Sequence, residues 1–395
     1  MRLRVLLPLL SVLVGALVST SASARVPQGF VGMMADGPVF DARVNPAHQL
    51  DVMVASGVQS LRVVFNWADA EPYARQSDVP ASQASVFVNG GNVPVSFRAT
   101  DPIVALAAQR GLTILPVVLY TPTWDARSFP PTAADPRTPT ALPRVDSAYA
   151  SYLAALVARY GPHGSFWAQY PRIRRVPIRM WQIWNEPNGH YYWPIQPFAK
   201  SYVALLRVAH DAIKRADPGA KVVLAGMPNF VWKYLAQIYA VPGARKLFDV
   251  VAAHPFTTRP GGVLTILQKA RAVMNRNGDR HKPIIASEVS WPSSLHQTSQ
   301  HYGFETTPAG QASKLAALLP ALGRDRSRLG LSAFYYNTWM GHEFAGAPSF
   351  QFAGLFGFTG AHVFTKPAYA AFRKAALTLE GCRVKAKVAT GCLKP

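Results

Sequence analysis

Residues 181–188 read WQIWNEPN, and residues 283–291 read PIIASEVSW. Each stretch is a short apolar run of β type that carries a glutamate near its end, Glu186 in the first and Glu288 in the second. From Phe30 onward, similar runs alternate with helical stretches, a pattern typical of parallel strands joined by helical crossovers. Eight such runs predict an α/β fold, the closed (β/α)8 TIM barrel.

The predicted strands are separated by windows of helical periodicity. The predicted strands are Phe30–Ala35, Ser60–Trp67, Thr113–Tyr120, Met180–Asn185, Lys221–Met227, Phe248–His254, Pro283–Val289 and Leu331–Trp339. The long connections all follow strands, at 68–100, 121–145, 292–307 and 340–366. Barrel enzymes build their sites from these strand-to-helix loops, so we expect the functional site at the C-terminal ends of the strands. Within the first of these loops, the alternation and the Asn-Gly pair of 86–97 predict a β-hairpin.

The first 24 residues have the pattern of an export signal. Arg2 and Arg4 accompany an apolar run that ends at Val18, and residues 22–24, Ala-Ser-Ala, fit a cleavage site. The run is about 14 residues long, shorter than the roughly 20 that span a bilayer, and no later segment is long enough. We therefore predict a signal peptide at 1–24 and a secreted or extracytoplasmic protein with no membrane span after cleavage. A retained N-terminal anchor is the alternative.

The remaining chain reads as one domain with a short tail. No long linker rich in Gly, Ser or Pro divides residues 25–380, which form the predicted barrel. Residues 381–395 form the tail and contain the only two cysteines, Cys382 and Cys392. In an oxidising compartment these would close a small disulfide loop, and two free thiols are the alternative.

The formal charge is +21, from 41 basic and 20 acidic residues. Such a surface attracts acidic cell-wall polymers, acidic glycans or nucleic acid. The basic residues are spread along the chain without a nucleic-acid recognition motif, so we expect no nucleic-acid partner, and a solvated basic surface is the plainer interpretation. The sequence also has no zinc-ligand spacing, Walker loop or Gly-x-Gly-x-x-Gly after a strand. We therefore predict no metal and no cofactor.

The two glutamates carry the functional prediction. Side chains alternate along a strand, so Ile284, Ala286 and Glu288 are expected to share the inward face of the seventh strand. For either glutamate alone, an ion pair at the rim is a sufficient explanation, since an unpaired buried acid is costly. Two acids at matching strand ends instead suit a paired-carboxylate mechanism, in which one carboxyl protonates a leaving oxygen while the other attacks carbon.

On these residues the sequence resembles the retaining glycoside hydrolases of clan A, the (β/α)8 barrels that include the cellulase-type family 5 and the xylosidase-type family 39. Residues 185–187, Asn-Glu-Pro, match the clan's acid/base motif at Glu186, and Glu288 matches its nucleophile. The resemblance covers most of residues 30–380. It implies a hydrolase that cleaves O-glycosidic bonds of a polysaccharide or oligosaccharide with retention, by a two-glutamate double displacement.

The resemblance also implies substrate-binding or orienting residues. Arg62 matches an arginine that hydrogen-bonds the nucleophile, His254 matches a histidine of the sixth strand, and Trp339 matches a tryptophan that stacks on the sugar. From its chemistry alone, Asn185 is a candidate donor to a sugar hydroxyl. Trp291 lies at a strand end, where a flat aromatic face can pack on a sugar ring. Structural roles in turns or in the core are the alternatives for His254, Asn185 and the tryptophans.

One position departs from the clan's pattern. Many members have a tyrosine two residues after the histidine, bonded to the nucleophile, where this chain has Phe256. Either another phenol, such as that of Tyr335 or Tyr336, replaces it, or Arg62 holds Glu288 alone. The departure keeps open a catalytically inactive carbohydrate-binding barrel at the cell surface. An adhesin that uses the basic surface is a further alternative.

Overall fold

The computed structural model describes residues 26–89, 93–133, 135–298, 300–360 and 362–393. In this part of the chain, parallel strands curl into a closed barrel surrounded by helices, which confirms the predicted (β/α)8 fold. The predicted signal peptide, residues 1–24, lies outside the described residues.

All the predicted strands are present and follow the predicted order. Their bounds are β1 (Val31–Met34), β2 (Ser60–Asn66), β3 (Thr113–Leu119), β4 (Met180–Ile183), β5 (Lys221–Val223), β6 (Val251–His254), β7 (Ile284–Val289) and β8 (Leu331–Tyr336). After a break, the chain of β5 resumes as Met227–Pro228, which pairs with β6. The Val223–Val250 bridge also joins the two strands, and β8 pairs with β1, so the barrel closes.

A helix follows each strand on the outside of the barrel. The helices are α1 (Pro46–Ala55), α2 (Asp101–Gln109), α3 (Asp146–Tyr160), α4 (Ala199–Ala216), α5 (Val231–Tyr239), α6 (Pro260–Arg276), α7 (Pro308–Leu329) and α8 (Pro367–Glu380). The limits of α7 show how the sequence sets them. The Thr307 side chain accepts a hydrogen bond from the Gly310 N–H at its start, and Gly330 ends it in the left-handed conformation with φ of 62°. Among the described residues, no helix is long and apolar enough to cross a membrane.

Apolar side chains form two layers, one on each side of the strands. The interior of the barrel is filled by Leu115, Val223, Val250, Ala252, Ile285, Ala333 and Tyr335. A much larger cluster lies between the outer faces of the strands and the helices. The two layers hold the strands in place and leave the C-terminal mouth of the barrel to polar side chains.

On β7, the side chains that point inward differ from the prediction. Ile284 and Ala286 pack in the outer layer, whereas Ile285 belongs to the interior layer. The expectation that the first two share a face with Glu288 was therefore wrong. The reason is an irregularity in the pairing of β7 with β8 between Ala286 and Val289. Such an irregularity re-aims the side chain that follows it, and it lets Glu288 reach the mouth of the barrel.

Three of the long strand-to-helix loops contain short strands of their own. In the loop after β3, Ala126–Arg127 pairs with Leu142–Pro143 in antiparallel fashion. In the loop after β2, Val88–Asn89 pairs with Pro94–Val95 in antiparallel fashion, which confirms the predicted hairpin. Its tip, residues 90–92, lies outside the described residues. In the loop after β8, Met340–His342, Phe356–Thr359 and His362–Thr365 form a three-stranded sheet. All three additions follow barrel strands and so stand at the C-terminal end of the barrel, where they can shape a cleft.

The C-terminal tail is fastened to the opposite, N-terminal end of the barrel. Cys382 and Cys392 form the predicted disulfide, with their Cα atoms 5.4 Å apart. The Ala389 N–H donates to the Arg110 carbonyl oxygen, just after α2. The Gln59 side chain, just before β2, donates to the last residue of α8 at 2.9 Å. These contacts hold the tail beside the starts of the strands.

One carboxyl group in the loop after β2 is deeply buried. Glu71 is 1% exposed, and its Oε2 accepts a hydrogen bond from Trp67 Nε1 at 2.7 Å. Its Oε1 has no hydrogen-bond partner among the described residues. Burial raises the pKa of Glu71 from 4.5 to about 8. The folded protein therefore holds this proton more tightly than the unfolded chain does, and the stability that it contributes below pH 4.5 is lost as the pH rises through about 8.

Glu71→Gln removes this titration. Between pH 4 and pH 9, we expect the free energy of unfolding of the wild type to fall relative to that of Glu71→Gln. The fall should be on the order of 4 kcal/mol, because each unit of difference in pKa between the folded and unfolded states corresponds to ~1.36 kcal/mol. Urea unfolding at several pH values measures the difference. Asp78→Asn, at an exposed carboxyl of the same loop, serves as the control and should follow the wild type. Parallel pH profiles for wild type and Glu71→Gln would contradict the assignment.

Candidate active site

The ends of five strands bring polar side chains together at the C-terminal mouth. Arg62 lies on β2, Glu186 follows β4, His254 ends β6, Glu288 lies near the end of β7, and Asn337 follows β8. The mouth holds a cavity of about 460 Å³. Its walls are formed by Met34, Arg137, Asn185, Glu186, Tyr192, Pro228, Asn229, Phe256, Glu288, Tyr302, Phe304, Asn337 and Phe350.

Arg62 is fully buried, and each donor group of its guanidinium has a polar partner. Nη1 donates to Glu288 Oε1 at 2.7 Å, and Nη2 donates to Asn185 Oδ1 at 3.0 Å. Nε donates to Gln182 Oε1 at 3.0 Å. Charge-assisted hydrogen bonds of this kind fix the side chains that accept them. Because the Oδ1 of Asn185 is occupied, its Nδ2 is the atom left to donate to a ligand in the cavity.

Glu288 receives a hydrogen bond on each carboxylate oxygen. Arg62 donates to Oε1, and Asn337 Nδ2 donates to Oε2 at 2.8 Å. Burial by itself raises the pKa of Glu288, but the charges of His254 and Arg62 and the hydrogen bonds from Arg62 and Asn337 outweigh burial and lower it. Glu288 is therefore ionised at neutral pH, as an attacking carboxylate must be.

Although Phe256 has no phenol to donate, Arg62 is not the sole hydrogen-bond donor to Glu288 among the described residues. The phenol of Tyr336 donates to the Ala353 carbonyl oxygen at 2.8 Å, and Tyr335 is buried in the barrel interior. Neither tyrosine replaces the missing phenol, and the donor on Oε2 is Asn337 instead. Both alternatives drawn from the sequence were therefore wrong. An amide supplies the hydrogen bond because it lies at the end of β8, next to β7.

Glu186 and Glu288 lie on either side of one buried histidine. His254 is 0% exposed; its Nδ1 lies 2.7 Å from Glu186 Oε1, and its Nε2 lies 3.4 Å from Glu288 Oε1. Oxygen atoms of the two carboxylates are within 4.8 Å of each other. The ring fits here because Gly226 has no side chain, since a Cβ at that position would lie 1.9 Å from His254 Nε2. His254 therefore has a positional role at the site.

The backbone around the mouth adopts conformations that are costly for non-glycine residues. Positive φ angles occur just after barrel strands at Tyr120 (70°), Trp184 (67°), Glu186 (40°) and Asn229 (48°). Such conformations persist where the surroundings impose them, and they concentrate at functional sites. At Glu186 the N–H donates to the Gly226 carbonyl oxygen at 3.0 Å. This contact holds the turn that aims the carboxylate into the cavity.

Two predicted binding residues do not reach the cavity. Trp339 is fully buried, and its Nε1 donates to Gln49 Oε1 at 2.8 Å. Trp291 is also fully buried, and its Nε1 donates to the Thr257 carbonyl oxygen at 2.6 Å. Neither ring has a free face, which corrects the expectation that they stack on a sugar. Their indole nitrogens are satisfied within the protein, so both side chains serve packing.

The loops supply the aromatic wall instead. Phe256 stacks on Phe304 with ring centroids 5.3 Å apart, and Phe350 packs against both. Tyr302 adds a half-exposed ring to this group, 4.9 Å from Phe350. Tyr192 also lines the cavity. The sequence did not indicate these rings, because they come from separate loops without a periodic pattern.

Asp36, just after β1, is another polar residue that the sequence analysis missed. Its Oδ1 accepts a hydrogen bond from the Val64 N–H at 3.1 Å. Burial raises the pKa of Asp36 to about 6, and the charges of Arg62 and Glu288 act on it in opposite directions. In the sequence, the feature that could have indicated Asp36 as a site residue was its position directly after a predicted strand.

A metal ion is poorly suited to this site. Among the described residues, Glu186, His254 and Glu288 are the group whose ligand atoms lie close enough together to share an ion. The Arg62 guanidinium is already 2.7 Å from Glu288 Oε1. Its positive charge opposes a cation beside the same oxygen.

Solved structures that match this chain include glycoside hydrolases. A family 39 glycoside hydrolase from Bacteroides cellulosilyticus WH2 matches with a TM-score of 0.62 and 16% identity, over 91% of this chain and 65% of that chain. A family 39 β-xylosidase from Caulobacter crescentus matches with a TM-score of 0.60 and 18% identity, over 90% and 72%. A glucosidase from Croceicoccus marinus matches with a TM-score of 0.57 and 16% identity, over 92% and 69%.

These matches confirm the predicted (β/α)8 fold. The chain spans slightly less than two thirds of the length of the Bacteroides protein. No protein-family model matches the sequence, and no curated protein matches it.

Replacing Asn337 by Ala tests the hydrogen-bond pattern around Glu288. The substitution removes the donor on Oε2, and we expect the pKa of Glu288 to rise, because a hydrogen bond that favoured the charged form is lost. NMR titration of ¹³C-labelled glutamate carboxyl groups measures it. Tyr192→Phe, at another residue of the cavity wall, is the control and should leave the titration unchanged. An unaltered Glu288 titration in Asn337→Ala would show that Asn337 does not act on the carboxylate.

Proposed function

We propose that this protein is a secreted retaining glycoside hydrolase that cleaves O-glycosidic bonds of a polysaccharide or oligosaccharide. The observation that carries the proposal is the approach of two carboxylates at one barrel mouth, with oxygen atoms within 4.8 Å. Retaining enzymes hold their carboxyl groups about 5–5.5 Å apart, whereas inverting enzymes leave about 6.5–9.5 Å for a water molecule. The fold of known glycoside hydrolases supports the same conclusion.

In the first step, Glu288 attacks the anomeric carbon and Glu186 gives its proton to the departing oxygen. Attack requires an ionised carboxylate, and the charges and hydrogen bonds around Glu288 keep it so. The bond from carbon to the leaving oxygen breaks as the bond from carbon to Glu288 forms. The product of this step is a glycosyl ester on Glu288 and a free alcohol.

In the second step, Glu186 takes a proton from a water molecule that attacks the same carbon. The ester bond breaks, Glu288 leaves as a carboxylate, and two inversions give net retention. The His254 contact at 2.7 Å holds the Glu186 carboxyl in place for both roles. The Asn185 Nδ2 is positioned to donate to a hydroxyl beside the reacting carbon, where such bonds strengthen in the transition state.

The cavity supports a carbohydrate substrate. Its wall combines the aromatic rings of Tyr192, Phe256, Tyr302 and Phe350 with a few polar groups. Aromatic faces pack on the C–H faces of sugars, and polar groups fix their orientation. The absence of a second hydrogen-bond donor to Glu288 would have favoured an inactive binding barrel. Asn337 provides that donor. Export of the protein rests on the signal pattern of the sequence and on the disulfide, a bond typical of oxidising compartments.

Substitution of the two carboxylates distinguishes their roles. We expect Glu288→Gln to lose at least about 10³-fold in turnover on every substrate, because no nucleophile remains. We expect Glu186→Gln to lose a similar factor on natural glycans but to retain a rapid first step on dinitrophenyl glycosides, whose leaving group needs no proton. Added azide should then restore turnover in Glu186→Gln alone, by attacking the intermediate without a base. Stopped-flow kinetics and product NMR measure both effects.

Glu343→Gln is the matched control, since this glutamate pairs with Lys366 outside the cavity. It should retain wild-type turnover. Near-normal rates in Glu288→Gln, or an initial product of inverted anomeric configuration from the wild type, would disprove the mechanism. A screen of plant, microbial and acidic glycans supplies the substrate for these measurements.

A further inference from the structure

The two ends of the barrel differ in charge. The segments that connect helices to strands, together with the described tail, lie at the N-terminal end and contain twelve Lys and Arg residues against three acids. These segments are 110–112, 161–179, 217–220, 240–250, 277–283 and 381–393, and we call the surface they form the basic face. The strand-to-helix loops around the active-site mouth contain eight Lys and Arg residues against ten acids. The excess positive charge of the loops is therefore concentrated on one end of the molecule.

Most cations of the basic face have no acidic partner. Arg110, Arg245, Lys282 and Lys385 form ion pairs. Among the described residues, the others form none, and all of them are exposed. These are Arg172, Arg174, Arg175, Arg179, Lys246, Arg280, Arg383 and Lys387. Unpaired cations on one face raise a positive potential there, which attracts external anions.

The basic face also contains a depression at the N-terminal end of the barrel. Its volume is about 450 Å³, and Arg179 and Lys221 are in its wall together with the polar side chains of Gln28, Gln59 and Ser332. The two cations stand side by side because the Lys221 N–H, at the start of β5, donates to the Arg179 carbonyl oxygen. A concave surface lined by cations and neutral polar groups suits a carboxylate-bearing or sulfate-bearing sugar unit.

We propose that the basic face binds an acidic polysaccharide. A single-stranded nucleic acid calls for stacking aromatic rings, and a membrane surface calls for apolar side chains that insert. The large exposed apolar residues of this face, among the described residues, are Tyr170 and Val384. The predicted export signal and the disulfide, a bond typical of oxidising compartments, favour a polysaccharide over an intracellular nucleic acid as the polyanion. Bound in this way, the protein turns its active-site mouth away from the polymer that holds it.

This site is separate from the cavity and does not depend on the proposed function. The experiment measures binding of fluorescein-labelled polygalacturonate by anisotropy in 20 mM NaCl. The test variant combines Arg172→Gln, Arg174→Gln and Arg175→Gln. The control combines Arg75→Gln, Arg98→Gln and Arg144→Gln, three exposed arginines of the strand-to-helix loops that have no ion pair among the described residues. The two variants have the same net charge, and circular dichroism and melting temperature establish that each is folded.

We expect the test variant to bind polygalacturonate at least about tenfold more weakly than the wild type, since three counterion-releasing contacts are lost. The control should stay within about twofold of the wild type, and 500 mM NaCl should abolish binding by all three proteins. Equal weakening in the two variants would overturn the proposal, because net charge and not the basic face would then explain binding. Tighter binding of single-stranded DNA or of phosphatidylglycerol vesicles than of polygalacturonate would overturn the choice of a polysaccharide.

Discussion

The buried guanidinium of Arg62 is the constraint on which the site depends. A positive charge this deep in a barrel is tolerated only with close partners, and removing one partner leaves a charge that burial makes expensive. Arg62 meets this condition with Glu288 from β7 and with Gln182 and Asn185 from β4. Three strands are thereby tied together at the mouth. The same contacts keep Glu288 ionised and hold Asn185 in place, so stability and the proposed chemistry rest on one set of hydrogen bonds.

The rest of the site follows from how the strands end. Parallel strands bring their C-terminal ends to one rim, and the irregular pairing of β7 turns Glu288 into that rim. A strained turn does the same for Glu186, and His254 keeps the two carboxylates in fixed relation. Long loops then cover the rim with aromatic rings. The helix-to-strand connections at the N-terminal end of the barrel do not line the cavity, and they carry unpaired cations of the basic face.

Much of the candidate site could be read from the sequence. Glu186, Glu288, Arg62 and His254 lie on or directly after predicted strands, and the topology of a parallel barrel requires such positions to meet. Asn337 was missed because the predicted strand ran on to Trp339, whereas the strand ends at Tyr336 and leaves Asn337 at the mouth. Asp36 directly follows a predicted strand, but an aspartate in that place is equally typical of a turn. The roles given to Trp291 and Trp339 were wrong, since position along the chain does not tell whether a ring faces a cavity or the core.

The sequence by itself determined the eight β/α units, the hairpin of the loop after β2, the disulfide of the tail and the end of the barrel that bears the carboxylates. These features depend on local alternation, turn residues and strand ends, which can be recognised from residues that are close together in the sequence. Only the tertiary structure decided which side chains of β7 face inward, that Asn337 holds the second oxygen of Glu288, and that rings from four loops line the cavity. The physical reason is that these contacts join residues far apart in the chain, whose packing and hydrogen bonding leave no local pattern.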